Sequence, residues 1–395
     1  MKKIISLFLI VAMMLSVLPM AIFAEGNSGD IILPPDCFHS RLSYTNNGAD
    51  HTVSCADCDY SATEAHTFVN GTCVCGATDA IPEAYNSELT LKSVNIDLAS
   101  AIAINFNGLA SIFSKYTDVY VEYTAEGKEP VKVYSYFTSS SGSDLRWNYA
   151  YEGLTALDLD LDIYATVYGM KDGVLYHGDT KTYSILKYST SAMSKGNNDA
   201  IPCANLLKYG NAAQLFKNVP ASEAVLSKLD ATQTAQLEQY AYPDSAVNVA
   251  KTSVVSQGTL VKFQSQNVDM LSRITLVYKI NFANYSGDRN NVTFKVRYTD
   301  AFGVEQEKDY AFSDLTDAGG NIYELYFAEF YSTQLREIAT CEIYIDGVLH
   351  ASYGNSVENY CYTTLNSSSN SAAMKYLATR MSLYGDASYE AYANR

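Results

Sequence analysis

Leu206-Leu207-Lys208-Tyr209-Gly210-Asn211-Ala212-Ala213 is the stretch that decides the fold, because it returns near the C-terminus as Met381-Ser382-Leu383-Tyr384-Gly385-Asp386-Ala387-Ser388. At helical spacing Leu206, Tyr209, Ala213 and Phe216 share one face, and Met381, Tyr384, Ser388 and Ala391 share the same face of a second helix. A glycine inside a helix costs about 1 kcal/mol against alanine. Because apolar spacing continues past them, Gly210 and Gly385 are read as points where the helix backbone closely approaches a sheet rather than as C-caps.

Working back from these helices, further anchors recur in the same order. Asn95-Ile96-Asp97-Leu98 matches Asn267-Val268-Asp269-Met270, an offset of 172 (267 − 95). Ile104-Asn105-Phe106, Val121-Glu122-Tyr123-Thr124 and Asp172-Gly173-Val174-Leu175 are answered by Ile280-Asn281-Phe282, Val296-Arg297-Tyr298-Thr299 and Asp346-Gly347-Val348-Leu349. One unit has therefore been written twice. Between anchors the period is two, as in Ile102-Ile104-Phe106, Ile163-Ala165-Val167 and Ile274-Leu276-Tyr278, and both Asp-Gly pairs read as hairpin turns. Roughly six to eight short antiparallel strands per repeat, without alternating helices, predict a mainly β protein with two tandem β-sandwich modules, each with a packed C-terminal helix. The first such helix is expected to start at Asp199, with Pro202 in its first turn. Between the repeats, Asp230-Ala231-Thr232-Gln233 is a capping-box start to a short helix reaching Tyr240.

Met1-Lys2-Lys3, an apolar run to about Val17 and the small residues before Glu25 read as a secretory signal. That run is shorter than the ~20 residues that span a bilayer, so no membrane span is expected. A net charge of -16 and 43 acidic residues against 27 basic ones exclude nucleic acid as a partner by lack of clustered cations. The predicted division is a signal segment at 1–24, a linker at 25–36, a Cys/His-rich module at 37–76 and a linker at 77–87. The first sandwich follows at 88–218, a helical connector at 219–257 and the second sandwich at 258–395.

Five of the eight cysteines and three of the five histidines fall in the Cys/His-rich module, as Cys37, His39, His51, Cys55, Cys58, His66, Cys73 and Cys75. Eight such ligands divide into two tetrahedral sets, which predicts two structural zinc ions. Disulfides alone would strand one of five thiols and leave the histidines unexplained. One partition is Cys37, His39, Cys55 and Cys58 with His51, His66, Cys73 and Cys75; spacing favours no single partition. A segment this short buries too little apolar surface to fold unaided, so metal binding is expected to supply the folding free energy.

The series C-x-H, H-x3-C-x2-C, H-x6-C-x-C-G resembles a small module of large secreted proteins of anaerobic Gram-positive bacteria. The duplicated organisation of residues 88–395 resembles other regions of the same proteins. The resemblance implies an extracellular accessory role in a reducing habitat where thiolates survive, and it transfers no catalytic residue. Cys73-Val74-Cys75 departs from it, with one intervening residue in place of two.

Trp147, Tyr149 and Tyr151 alternate along one predicted strand and project to one face, with Tyr134 and Tyr136 on a neighbouring run. They form either a flat strip for stacking on sugar rings or one wall of the core. Asp158-Leu159-Asp160-Leu161-Asp162 lacks the glycine of an EF-hand loop, where Ile163 stands, and reads as a strand with a solvated acidic face. Cys203 reads as a buried helix residue, His177 and His350 as exposed strand-end residues, and Cys341 with Cys361 as able to pair if their Cα atoms come within about 7 Å. No hydrolase elbow, zincin, P-loop or dinucleotide motif stands in its required context. The sequence thus predicts a secreted, non-catalytic binding or scaffolding protein at the cell exterior, with polysaccharide or a cell-surface protein as partner. The alternatives are an enzyme acting on carbohydrate or peptidoglycan, marked by a cleft with opposed carboxylates, and a structural spacer of an envelope layer.

Overall fold

The structure, a computed structural model, describes residues 39, 41–69, 71–78, 82–98, 102–270 and 274–392. The signal segment and Cys37 lie outside the described residues. The chain divides into two compact units between residues 80 and 81. Among the described residues no helix is long and apolar enough to cross a membrane.

The first unit pairs β1 (Leu42–Asn46), β2 (Asp50–Cys55) and β3 (Ser61–Ala65) into an antiparallel sheet, followed by the small hairpin of β4 (Phe68–Val69) and β5 (Thr72–Cys73). Its buried side chains among the described residues are few: Val53, Ala77, Cys55, Cys73 and His51. Three of these five are metal-ligand types, so the middle of the unit is built from thiols and imidazole rather than from an apolar core.

The second unit is mainly β with several sheets. Its first repeat comprises β6 (Glu83–Tyr85), β7 (Ser93–Asp97), β8 (Ala103–Leu109), the single turn α1 (Ala110–Phe113), β9 (Thr117–Ala125), β10 (Lys128–Val133), β11 (Phe137–Ser141), β12 (Asp144–Tyr151), β13 (Ile163–Lys171), β14 (Val174–His177) and β15 (Lys181–Tyr183). Helices α2 (Ile185–Lys195) and α3 (Ala200–Phe216) close it, and α4 (Ala231–Tyr240) lies in the connector. The second repeat runs through β16 (Val254–Ser256), β17 (Lys262–Met270), β18 (Ile274–Asn281), β19 (Val292–Thr299), β20 (Glu305–Ala311), β21 (Thr316–Gly319), β22 (Ile322–Phe327), β23 (Ala339–Ile345) and β24 (Val348–Asn355). It ends in α5 (Val357–Asn366) and α6 (Ala372–Tyr392).

The pairing orders coincide. The first repeat has one sheet ordered β11-β12-β8-β7 and another ordered β10-β9-β13-β14-β6, and the second has β21-β22-β18-β17 and β20-β19-β23-β24-β16. They differ in that β13 also pairs with β15, and at one edge, where β6 joins β14 in parallel but β16 joins β24 antiparallel. Ile104 and Phe106 of one sheet share an apolar cluster with Val121, Tyr123, Ala165 and Val167 of the other. A hydrogen bond crosses between them, from the buried Tyr123 hydroxyl to the Tyr149 carbonyl at 2.7 Å. In the second repeat Tyr278 of β18 likewise donates to Ala339 O of β23 at 2.7 Å. Both Asp-Gly turns form two-residue hairpin loops, with Lys171 opposite Val174 and Ile345 opposite Val348. All four turn residues have positive φ, which glycine and aspartate tolerate best.

Two expectations are corrected here. Each repeat closes with two helices, not one: Ser184 caps α2 by accepting from Lys187 N, and Ser356 caps α5 by accepting from Asn359 N. The helix glycines meet loops, not a sheet. A Cβ on Gly210 would lie 2.2 Å from Leu159 Cδ1 and 2.8 Å from Ala156 O, in the β12–β13 loop, and one on Gly385 would lie 2.6 Å from Leu335 Cδ1, in the β22–β23 loop. The other sides of α3 are also covered, because it packs on α6, with the Tyr209 and Tyr384 rings stacked at 5.8 Å and 10°. The repeats therefore share one unit, and the Tyr384 hydroxyl donates to Leu98 O of the first repeat at 3.3 Å. In the connector, α4 starts at its capping box, with Gln233 N donating to Asp230 Oδ1 at 2.8 Å and Asp230 N to Gln233 Oε1 at 3.0 Å.

Candidate metal centre

Strand β2 alternates its burial so that His51, Val53 and Cys55 face inward together. His51 and Cys55 stand four residues apart, about 13 Å along a strand. One strand face therefore serves two separate groups, one at each end.

At the first end His51, His66, Cys73 and Cys75 place one ligand atom each within 4.8 Å of all the others. The Cys73 sulfur lies 3.6 Å from His51 Nδ1, and the Cys75 sulfur 3.3 Å from His66 Nδ1. A tetrahedral divalent ion held at about 2.3 Å by sulfur and about 2.0 Å by nitrogen separates the two by about 3.5 Å, so these residues fit one. The short Cys73-Val74-Cys75 spacing works because the chain turns back at once. Gly76 N donates to Cys73 O, Gly76 takes a φ of 82°, and Val74 is thrown outward. The Cys75 backbone amide holds the Cys73 thiol down to about 6 against the opposing effect of burial, with His66 assisting, which favours the thiolate at neutral pH. The far nitrogens are also engaged. His66 Nε2 lies 3.2 Å from Gly48 O, and His51 Nε2 lies 3.8 Å from a Glu64 carboxylate oxygen. Such partners fix ring orientation and leave Nδ1 as the ligand atom.

At the other end His39, Cys55 and Cys58 converge within 4.8 Å. His39 Nδ1 is buried and has no hydrogen-bond partner among the described residues, as a metal-ligating nitrogen would be without its ion. The Asp57 amide donates to Cys55 Sγ at 3.4 Å, and Arg41 grips the Asp57 carboxylate, which steadies the Cys55-Ala56-Asp57-Cys58 turn. Cys37, assigned to this end in one sequence partition, lies outside the described residues. Of the partitions left open by the sequence, the described geometry matches the one that sets His51, His66, Cys73 and Cys75 apart from His39, Cys55 and Cys58. Both groups can hold a metal ion. Spacing carried no signal for the supporting partners Glu64, Gly48, Arg41 and Asp57.

The aromatic strip divides. Tyr149 and Tyr151 are core residues, because β12 turns that face toward Tyr123, so the three rings do not form a solvent-facing platform. Trp147 is half-buried and stacks on the exposed Tyr136 at 4.1 Å and 17°. It also lines an open cavity of about 540 Å3 with Ser111, Ser114, Ser143 and Asp144. These polar residues come from α1, its flank and the β11–β12 turn, and no local pattern announced them.

The Asp158–Asp162 run is a loop, not a strand, its backbone turning through bonds from Asp158 N to Thr155 O and from Leu161 N to Asp158 O, and each of its carboxylates is engaged. Asp158 accepts from Thr155 N and pairs with Lys128, Asp160 accepts from Gln214 Nε2, and Asp162 pairs with Lys187. His350 is half-buried, its Nε2 accepting from Leu260 N and Val261 N. Cys203, Cys341 and Cys361 are buried free thiols, so the pairing considered for the last two is not made. Burial raises all three.

Compared with protein-family models and curated proteins, the chain matches no family model and no curated protein.

Proposed function

We propose that this chain is a secreted, non-catalytic binding or scaffolding protein of the cell exterior, whose first repeat grips polysaccharide at Trp147. In this reading residues 37–76 hold two structural zinc ions, and residues 88–395 are two copies of a β-sandwich carrying helices.

The observation that carries the polysaccharide reading is the setting of Trp147. A sugar offers a flat C–H face and a fringe of hydroxyls, and it is met by an aromatic ring beside a few polar groups in an open hollow. Trp147, backed by Tyr136 and flanked by Ser111, Ser114, Ser143 and Asp144, supplies that combination. Zinc is favoured by the soft and borderline donor set, the 3.3 and 3.6 Å sulfur–nitrogen separations and the near absence of any other core. Bound there, the ion would fix the fold rather than react, since the four donors of the first group fill a tetrahedron.

The test is retention of the full chain on insoluble cell-wall glycan, wild type beside Trp147→Ala, with melting curves to show that the variant is folded. Loss of retention in the variant alone supports the reading. Equal retention removes Trp147 from it, and no retention of either protein ends the polysaccharide proposal. Elemental analysis is expected to give about two zinc per chain; a metal-free first unit with mapped disulfides would overturn that part.

A further inference from the structure

The two repeats differ on the outer face of the sheet that, in the first, runs β10-β9-β13-β14-β6. There one register line crosses all five strands and carries a ring on each: Tyr134, the residue after β10, then Tyr120, Tyr168, His177 and Tyr85. The rings touch in that order, with centroids 4.9, 5.0, 5.9 and 5.8 Å apart. None of the five belongs to the apolar cluster between the sheets, from which strand alternation turns them away. Tyr120 is buried all the same, closed in by Tyr134 and Tyr168, whereas Tyr134 and Tyr85 at the ends of the row are 55% and 56% exposed.

Cross-strand rings can stabilise a sheet on their own account, and the second repeat is the control. Val296 answers Val121, which sets Lys295 at the place of Tyr120. The strand pairings then set Asp309, Glu342, Ser352 and Ser256 at the places of Tyr134, Tyr168, His177 and Tyr85. Lys295 Nζ lies 3.6 Å from Asp309 there. The same sheet order is built with no ring on this line, so the fold does not call for the row. Beside the row, the adjoining line of Lys132, Glu122 and Thr166 is polar. Lys132 Nζ lies 3.7 Å from Glu122, and the Thr166 and Thr180 hydroxyls share a hydrogen bond at 2.7 Å.

We infer that this face binds one straight polysaccharide, a β-1,4-linked pyranose ribbon, laid across the strands along the row. The inference rests on the polysaccharide reading above, but on other residues than Trp147. Tyr120 and Tyr168 stack at 8°, so the middle of the row offers rims and hydroxyls, while ring faces are open at Tyr134 and Tyr85. A saccharide uses both, with C–H faces on the end rings and hydroxyls against the phenols, Glu122 and Thr166 between them. Such a ribbon advances about 5 Å per sugar, close to one strand spacing, so a row of about 20 Å takes about four or five sugars in step. A coiled, α-linked saccharide does not keep that step.

The test is isothermal titration calorimetry on the full chain with β-1,4-linked glucose and β-1,4-linked N-acetylglucosamine, each as a two-unit and a six-unit oligosaccharide. At least one six-unit form is expected to bind about tenfold tighter than its two-unit form, because only the longer one reaches both end rings. Tyr134→Ser/Tyr85→Ser should abolish that gain, and Trp147→Ala should keep it. Should the double variant melt early, Tyr134→Ser alone, a change at an exposed ring outside the strand, must still reduce the gain. No gain with length for either sugar, a gain kept in the row variants, or a gain lost equally in Trp147→Ala would each overturn the inference. Failure of the polysaccharide reading as a whole looks different, as no binding at any length and no retention of wild type on insoluble glycan, and it would take this inference with it. Retention lost in Tyr134→Ser/Tyr85→Ser but kept in Trp147→Ala would instead support the row and remove Trp147.

Discussion

Replacing Gly210 by alanine separates helix propensity from close approach. Propensity alone favours the substitution by about 1 kcal/mol. Against it, the new methyl would sit 2.2 Å from Leu159 Cδ1, 2.9 Å from Leu159 Cγ and 2.8 Å from Ala156 O. Leu159 is fully buried and Ala156 O belongs to the backbone, so neither yields without moving the β12–β13 loop or the helix. Overpacking of this kind costs about 1 to 3 kcal/mol, and with a backbone atom involved the upper end applies, leaving a net loss of about 2 kcal/mol. Gly385→Ala meets only the Leu335 side chain, at 2.6 to 3.2 Å, and should lose less than about 1 kcal/mol. Urea unfolding of the full chain, followed by far-UV circular dichroism and by the emission of the single tryptophan, Trp147, reads both. With a slope of roughly 3 kcal/mol per molar, Gly210→Ala should move the midpoint down by about 0.7 M. A midpoint at or above wild type would refute the close-approach account and return Gly210 to an ordinary helix position.

Three further outcomes are expected. Tyr209 and Tyr384 stack as a pair, but the Tyr209 hydroxyl has no hydrogen-bond partner among the described residues while that of Tyr384 donates to Leu98 O. Tyr209→Phe should therefore leave the urea midpoint unchanged or raised, and Tyr384→Phe should cost about 1 kcal/mol. Lys279, with help from the Tyr326 hydroxyl, holds the Glu324 carboxyl below the usual carboxylate range. Its folded value lies below its unfolded one, so the stabilisation is present above the ordinary range and lost as pH falls through the folded value. Wild type should exceed Glu324→Gln by no more than about 1 kcal/mol at neutral pH and match it in acid, which paired melts at the two pH values check. Finally, Cys73→Ser and Cys58→Ser should each lower the metal content by about one equivalent while Cys203→Ser leaves it intact, as read by elemental analysis.

Local chemistry was readable from the chain. Asp172-Gly173 and Asp346-Gly347 form hairpin loops because two successive positive φ angles admit few other residues, and Asp230 with Gln233 closes its capping box within four residues. The recurring anchors foresaw the matching sheet orders. Facing was not readable. Period two places Trp147, Tyr149 and Tyr151 on one side without saying which side is wet, and only Tyr123, 26 residues upstream of Tyr149, decides that. The helices α2 and α5 were missed because Tyr183-Ser184-Ile185 and Asn355-Ser356-Val357 look like strand continuing, although each serine is a cap. The acidic run was misread because its partners Lys128, Lys187 and Gln214 lie 25 or more residues away. The grouping of metal ligands depended on the reach of β2, which spacing alone does not supply.

The stacked Tyr209 and Tyr384 rings, with α3 laid along α6, bear on how such a chain is inherited. Cutting the gene between the repeats would uncover Tyr209 on one product and Tyr384 on the other, rings now almost wholly sealed from water. Neither half could then be shuffled alone into another reading frame without clumping. Recombination is expected to move the pair together, and homologous chains should carry both repeats or neither.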